Sequence, residues 1–282
     1  MKIMKNFIKF GIQKNNKTQK IYEEIKGNLY DTYMLGRYFE DIYNLSKLEK
    51  KKVKFSKNLL HDTKDLKFNL VNYILLLISK KKKFYEFGFT LYEKIIFLKF
   101  FNNLFNQKFD ISKIKFFGND ISDRFIFFTQ NFYKDFKISV SKKILFKNYS
   151  QSIFFSKGVT LLYEKQNFKY LKNFIKYSQC GSFDISLYPK KKIRLLETGY
   201  KLYYPSIISL INLINSSPHK KFYFRNKKKV NGKIYIEILF GDENIASIVN
   251  SKFKYLSKKN IPYKNYLSLN KEFKELTVKD LK

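Results

Sequence analysis

Asn231-Gly232 sits between two alternating runs, FYFRNKKKV and KIYIEILF, and that arrangement leaves residues 222–240 little conformational choice. Asn-Gly suits the left-handed conformations of a two-residue hairpin turn. Alternation of apolar and polar side chains is the period of a half-buried strand. The segment is therefore expected to be a β-hairpin. A second stretch, FYKDFKISVSKKILFKNYSQS (132–152), alternates in the same way through Lys137, Ile138, Ser139, Val140 and Ser141. Its middle reads Ile144-Leu145-Phe146-Lys147 and contains no turn residues, yet the pattern is read as a second, lysine-rich hairpin.

Helical signals fill much of the remainder. Asp65 is placed to cap a helix over 66–79, with Leu70, Ile74, Leu77 and Ile78 on one face. The run Lys80 to Lys83 follows it, where cations suit the helix dipole. A second helix is expected over about 89–105, carrying Leu91, Ile95, Leu98 and Phe101, and a third over about 122–134. Residues 161–177 read as helical, 188–197 as a loop into a strand or helix, and 205–215 as a short helix with Pro205 in its first turn. The first twenty residues read as a basic arm, 21–48 as helical, and the last forty as a lysine-rich surface tail. The expected fold class is mainly α: a helical bundle with a protruding basic β-hairpin and an α+β C-terminal extension. Three regions follow: 1–60, a basic arm and helical extension; 61–178, the helical core with its hairpin; and 179–282, the C-terminal extension.

Charge narrows the function. Lys and Arg total 57 against 23 acids, a net charge of +34, in a chain that is 44% hydrophobic. So much like charge favours a polyanionic partner, and nucleic acid fits best. Only four of the basic residues are arginine (Arg37, Arg124, Arg194, Arg225), and alanine occurs once. The favoured residues have AT-rich codons, which points to an AT-rich genome such as that of a mitochondrion, with a plastid or a reduced bacterium as alternatives. Lysine clusters at 50–52, 80–83, 142–143, Lys190-Lys191-Lys192 and Lys227-Lys228-Lys229, the last beside Arg225, read as phosphate contacts. Such contacts suit a pre-folded RNA recognised by shape. The single cysteine, Cys180, argues against a disulfide and a cysteine zinc site within the chain. The longest apolar runs, such as LVNYILLLIS (70–79), are about half a membrane-spanning helix.

Catalytic chemistry is sparse in the sequence. His61 and His219 lie far apart without a nucleophile motif, and neither usual phosphate-binding glycine loop occurs. Asp242 and Glu243 have no companions for a two-metal site. No enzyme, cofactor or metal is expected.

The order helix, lysine run, helix, loop, helix and basic hairpin over 65–155 resembles the bacterial-type small-subunit ribosomal protein 7 family. DLKFNLVNYILLLISKKKKFYEFGFTLYEKI (65–95) is similar to its opening helices, and FIFFTQNFYKDFKISVSKKILFKNYSQ (125–151) to its third helix and hairpin. Leu145 and Phe146 stand where that family has a double glycine. The resemblance implies a structural, rRNA-binding protein in the head of an organellar small ribosomal subunit. Neighbouring ribosomal proteins would be its partners, with mRNA and E-site tRNA nearby. By position it makes Lys80, Lys81, Lys82, Lys83, Lys134, Lys142, Lys143 and Lys147 rRNA contacts, with Tyr149 on the returning strand. Residues 65–105 and 152–163 are also similar to small-subunit ribosomal protein 8. An accessory subunit of a respiratory membrane complex is the alternative from another class.

Overall fold

The computed structural model describes residues 63–79, 82–88, 91–105, 109–119, 126, 130, 136–145, 149–156, 166–195, 201–259 and 272–281. Helix α1 (Thr63–Ile78) leads into strand β1 (Lys83–Phe87), then α2 (Leu91–Leu104), β2 (Lys115–Asn119), β3 (Lys137–Ser141) and β4 (Ile153–Ser156). Helix α3 (Gln166–Tyr177) precedes β5 (Cys180–Leu187). A small hairpin, β6 (Lys192–Leu195) and β7 (Lys201–Tyr204), precedes α4 (Ile207–Asn215). The chain ends with β8 (Lys221–Val230), β9 (Lys233–Gly241), α5 (Ile245–Lys259) and the short β10 (Lys274–Glu275).

Eight strands form one sheet in the order β10-β8-β9-β5-β4-β1-β2-β3. Strands β3, β2, β1, β4 and β5 are mutually parallel. Strand β9 runs antiparallel to both β5 and β8, so β8 points the same way as β5. Helices cover both faces. On one, Leu70, Ile74, Ile95, Phe101, Val249 and Phe253 share one core with Phe84, Phe116 and Phe155. On the other, Leu171, Phe174, Leu210 and Leu213 pack on Tyr85, Phe154, Phe183 and Ile236. This is a doubly wound, Rossmann-like α/β fold, and it corrects the expectation of a mainly helical bundle. The sheet takes strands from both sides of residue 178.

Several elements follow directly from local chemistry. The carbonyls at the end of α1 are capped by one lysine: Lys82 Nζ donates to Leu76 O at 2.6 Å and to Ser79 O at 2.9 Å. Ser206 caps α4, its Oγ accepting from the Ser209 amide at 3.1 Å, so Pro205 stands just outside the helix rather than in its first turn. The Asn231-Gly232 hairpin forms as expected, both residues having positive φ.

The lysine-rich hairpin does not form. β3 pairs in parallel with β2, Lys137 opposite Lys115 and Ser141 opposite Asn119, and lies at the edge of the sheet. Tyr149 is not on a returning strand but buried against Tyr85 and Phe174, at ring separations of 5.6 and 4.7 Å. A parallel edge strand is reached by a crossover, so no tight turn is needed after it. That is why 144–147 has no turn residues. The expected third helix (122–134) falls almost wholly outside the described residues, as does the N-terminal region. The expected C-terminal tail is instead structural: Val249 and Phe253 of α5 lie in the core, and β10 pairs with β8.

β5 passes close to its neighbours at Gly181. A Cβ on Gly181 would stand 2.4 Å from Phe154 O and 2.9 Å from the Phe240 ring. Gly181→Ala is therefore expected to destabilise the protein by about 2–3 kcal/mol in chemical denaturation, the cost of overpacking a closed core.

Candidate ligand site at the carboxyl edge of the sheet

The parallel strands reverse their order of winding at β1, which has β2 on one side and β4 on the other. The connection leaving β1 runs through α2 on one face. The connection leaving β4 runs through α3 on the opposite face. The two chains diverge there, so a crevice opens outside the carboxyl ends of β1 and β4, the place where open α/β sheets hold their ligands.

Gly88 forms the turn out of β1. Its φ is +69°, a conformation that costs a side-chain-bearing residue about 1–2 kcal/mol. Its amide donates to Asn119 O, at the end of β2, over 3.2 Å. The Tyr85 hydroxyl donates to Asn119 Oδ1 at 2.8 Å, fixing the ends of β1 and β2 together. Burial pushes that phenol far above its ordinary range, with a smaller contribution from Tyr149, so it stays protonated as the donor. Helix α2 begins at Leu91 and directs its first amides toward the same edge. Glu86, one residue before Phe87 and Gly88, is buried. At the end of β4, Ser156 is fully buried and its Oγ has no hydrogen-bond partner.

A second set of polar groups crosses the α1 face of the sheet. Phe183, Ile185 and Leu187 point to the other face, so Ser182, Asp184 and Ser186 point toward α1. Ser182 Oγ donates to Asn72 Oδ1 of α1 at 3.1 Å. Asp184 lies opposite Glu237 of β9, which lies opposite Arg225 of β8. Arg225 Nε donates to Glu237 Oε2 at 2.6 Å, and Asn226 Nδ2 donates to Glu237 Oε1 at 3.0 Å. The Tyr235 hydroxyl donates to Asp184 Oδ2 at 3.2 Å, and burial raises its pKa. Arg225 is buried over the rings of Phe273 and Phe253, 4.8 and 5.7 Å from their centroids. Burial lowers its pKa, while Glu237 acts in the opposite direction.

The basic residues picked out by the sequence are scattered by the fold. Lys82 caps α1 and Lys83 Nζ donates to Ser150 O at 2.9 Å, both at the amino edge, away from the crevice. Lys142 and Lys143 follow the edge strand β3 and are exposed. Lys190, Lys191 and Lys192 are exposed in and beside the link from β5 to β6. Lys228 and Lys229 are exposed near the tip of β8, and Lys227 is half-buried. Arg225 is interior, in the ion pair above. Lys80, Lys81, Lys134 and Lys147 lie outside the described residues. The residues that do converge, Tyr85, Glu86, Gly88 and Asn119, were signalled only by an acid two places before a glycine at the end of the buried run KFYEF.

Among the described residues, no group of three His, Cys, Asp or Glu side chains is arranged to hold a metal, and no helix is long and apolar enough to cross a membrane. The Cys180 thiol is buried and pushed up to about 12, by desolvation first and Asp242 second.

No protein-family model matches the chain, and no curated protein matches it. Solved structures do align with it. The N-terminal domain of EvdMO1, crystallised in the presence of SAH and D-fucose, aligns at a TM-score of 0.47 with 9% identity, over 72% of this chain and 95% of that one. Magnesium protoporphyrin IX methyltransferase (ChlM) from Synechocystis PCC 6803 with bound SAH gives 0.37 and 9%, over 72% and 95%. A putative class I S-adenosylmethionine-dependent methyltransferase from Listeria monocytogenes gives 0.39 and 12%, over 73% and 69%.

The resemblance to ribosomal proteins 7 and 8 is corrected by the fold. It rested on a helical bundle and hairpin, and the chain builds a doubly wound sheet instead. The expected role in a small ribosomal subunit, with its rRNA and ribosomal-protein partners, depended on that bundle and falls with it. The expectation of no catalysis, read from missing motifs, is corrected as well, since solved methyltransferase structures align with the chain. Two of those three solved structures are named as methyltransferases.

Proposed function

We propose that the chain is a methyltransferase that binds a nucleoside cofactor of the S-adenosylmethionine type at the carboxyl ends of β1, β2 and β4. The observation that carries this reading is the Gly88 turn at the switch point of the sheet. That position takes nucleotide-like ligands in doubly wound folds. A dinucleotide's pyrophosphate needs a turn with several glycines for close backbone approach, and here the sequence from the end of β1 is Glu86-Phe87-Gly88-Phe89-Thr90. It has one glycine, no lysine or arginine, and a carboxylate two residues earlier that disfavours phosphate. A cofactor with no phosphates, a cationic sulfonium and a zwitterionic amino-acid tail matches that charge. Amides at the start of α2 suit the tail's carboxylate, and Glu86 suits its ammonium side. Asp120, which follows Asn119 in sequence, supplies an acid after β2 of the type that receives ribose hydroxyls.

The residues present therefore fit the group. When bound, it supplies an electrophilic methyl carbon on a sulfonium. The chain's part is to orient that carbon toward the acceptor and to exclude water behind it. Equilibrium dialysis with labelled S-adenosylmethionine tests the reading. Retention of label, displaced by S-adenosylhomocysteine but not by ATP or NADH, is expected. Displacement by ATP or NADH, or no retention at all, contradicts it.

A further inference from the structure

The three most exposed large apolar side chains among the described residues are Ile208, Val230 and Ile193, at 64, 60 and 59%. They come from different elements, yet the fold gathers them at one place. Tyr188, just past β5, forms a bridge with Ser206, and the Ile207 amide donates to Tyr188 O at 3.0 Å. Ile208 is therefore beside the carboxyl end of β5. Val230 pairs with Lys233 at the β8–β9 turn, one residue beyond the pairing of Leu187 with Ile234. Ile193 lies on β6, whose hairpin is held to the same corner by side chains. The rings of Tyr188 and Tyr204 meet edge to face at 5.0 Å, Lys192 Nζ lies 4.9 Å from the Tyr188 ring, and Lys233 Nζ lies 5.6 Å from that of Tyr204.

Among the described residues around these aliphatic tips, the exposed charges are positive. Lys190, Lys191, Lys192, Lys228 and Lys229 are exposed there, and neither 188–195 nor 226–236 contains an acid. We propose that this corner docks on an anionic lipid surface, with the aliphatic tips entering the headgroup layer and the lysines meeting the lipid phosphates. Protruding aliphatics ringed by lysine are the combination an anionic interface rewards. Nucleic acid fits less well: lysines would meet its phosphates too, but it gives protruding aliphatic tips no apolar layer to enter. The rings that could stack on bases, Tyr188 and Tyr204, are engaged with each other and with lysines. A second copy of the chain would bring like charges together.

The corner lies at the carboxyl edge, two strands from the switch point, so docking turns the crevice toward the lipid. On the methyl-transfer reading, on which this last step rests, the acceptor is then carried by the membrane. Flotation of the full-length chain with vesicles decides the matter. Binding to phosphatidylcholine mixed with phosphatidylglycerol, and not to phosphatidylcholine alone, is expected. Lys228→Glu with Lys229→Glu should weaken it about tenfold or more, from the loss of two near-surface cations. Val230→Asp with Ile208→Asp should also weaken it about tenfold, from the loss of the inserted apolar area. Circular dichroism and S-adenosylhomocysteine binding should be unchanged in both. Equal binding to neutral vesicles, or an aspartate pair that floats like the parent, overturns the proposal. A chain that binds S-adenosylhomocysteine but no vesicles overturns docking alone; one that floats without binding it contradicts the methyl-transfer reading alone.

Discussion

Glu237→Ala is expected to lower stability by about 3–5 kcal/mol, because it leaves a guanidinium inside the protein without its counter-charge. The Arg225 side chain is 1% exposed and that of Glu237 6%, and they are joined by the 2.6 Å bond from Nε to Oε2. The same substitution removes the acceptor for Asn226 Nδ2. Removing one partner is much costlier than removing both, since the surviving charge cannot recover its water. Against a total stability of about 5–15 kcal/mol, the single variant is expected to melt about 10 °C lower. Arg225→Met with Glu237→Leu is expected to recover most of that loss, because two apolar side chains need no desolvation compensation. A single variant within about 1 kcal/mol of the parent, below the ordinary cost of an unmade buried bond, would mean that Arg225 reaches solvent or another anion.

Gly88→Val is expected to weaken S-adenosylhomocysteine binding about a hundredfold, which corresponds to about 2.7 kcal/mol. Two effects add. A β-branched residue resists a φ of +69°, so the turn tilts and the bond from the Gly88 amide to Asn119 O is lost. The new side chain also projects from a backbone that must come close to the ligand. Gly232 provides the control. Its φ is +70°, and a Cβ there would meet nothing within 4 Å. Gly232→Ala should lose about 1 kcal/mol of stability, the ordinary cost of a left-handed alanine, and leave binding untouched. Equal binding losses at Gly88 and Gly232 would mean that backbone strain, not the site, governs affinity.

How much of this the sequence discloses depends on how each element is buried. Helices expected over 66–79 and 89–105 form over Thr63–Ile78 and Leu91–Leu104, because each presents a helical apolar stripe to the sheet. The Asn231-Gly232 hairpin is legible because turn chemistry and alternation agree. Strands β1 and β4 are not: KFYEF and IFFS are covered on both faces, so they read as short apolar runs that a helix shares equally. The run from Lys80 to Lys83 compounds this, because it looks like a helix end and in fact includes the first residue of β1.

β5 is a different case. Phe183, Ile185 and Leu187 alternate with Ser182, Asp184 and Ser186, but the polar side is buried beneath α1 rather than solvated. Alternation at β3 identifies a strand correctly and says nothing of its partner, so a parallel edge strand passes for half a hairpin. The proposed ligand site is nearly silent because the turn out of β1 carries a single glycine, Gly88, and one glycine is no signature. The lysines speak loudly, yet the fold spreads them over caps, strand ends and the corner near Tyr188 alike.

A crystal structure of the chain with S-adenosylhomocysteine is the most direct test of the central claim. The account predicts the adenosyl group across the carboxyl ends of β1 and β2, near Asn119, with the amino-acid tail against the Gly88 turn and the start of α2. A ligand lodged elsewhere on the sheet, or a switch-point crevice that takes ATP or NADH in its place, would contradict it.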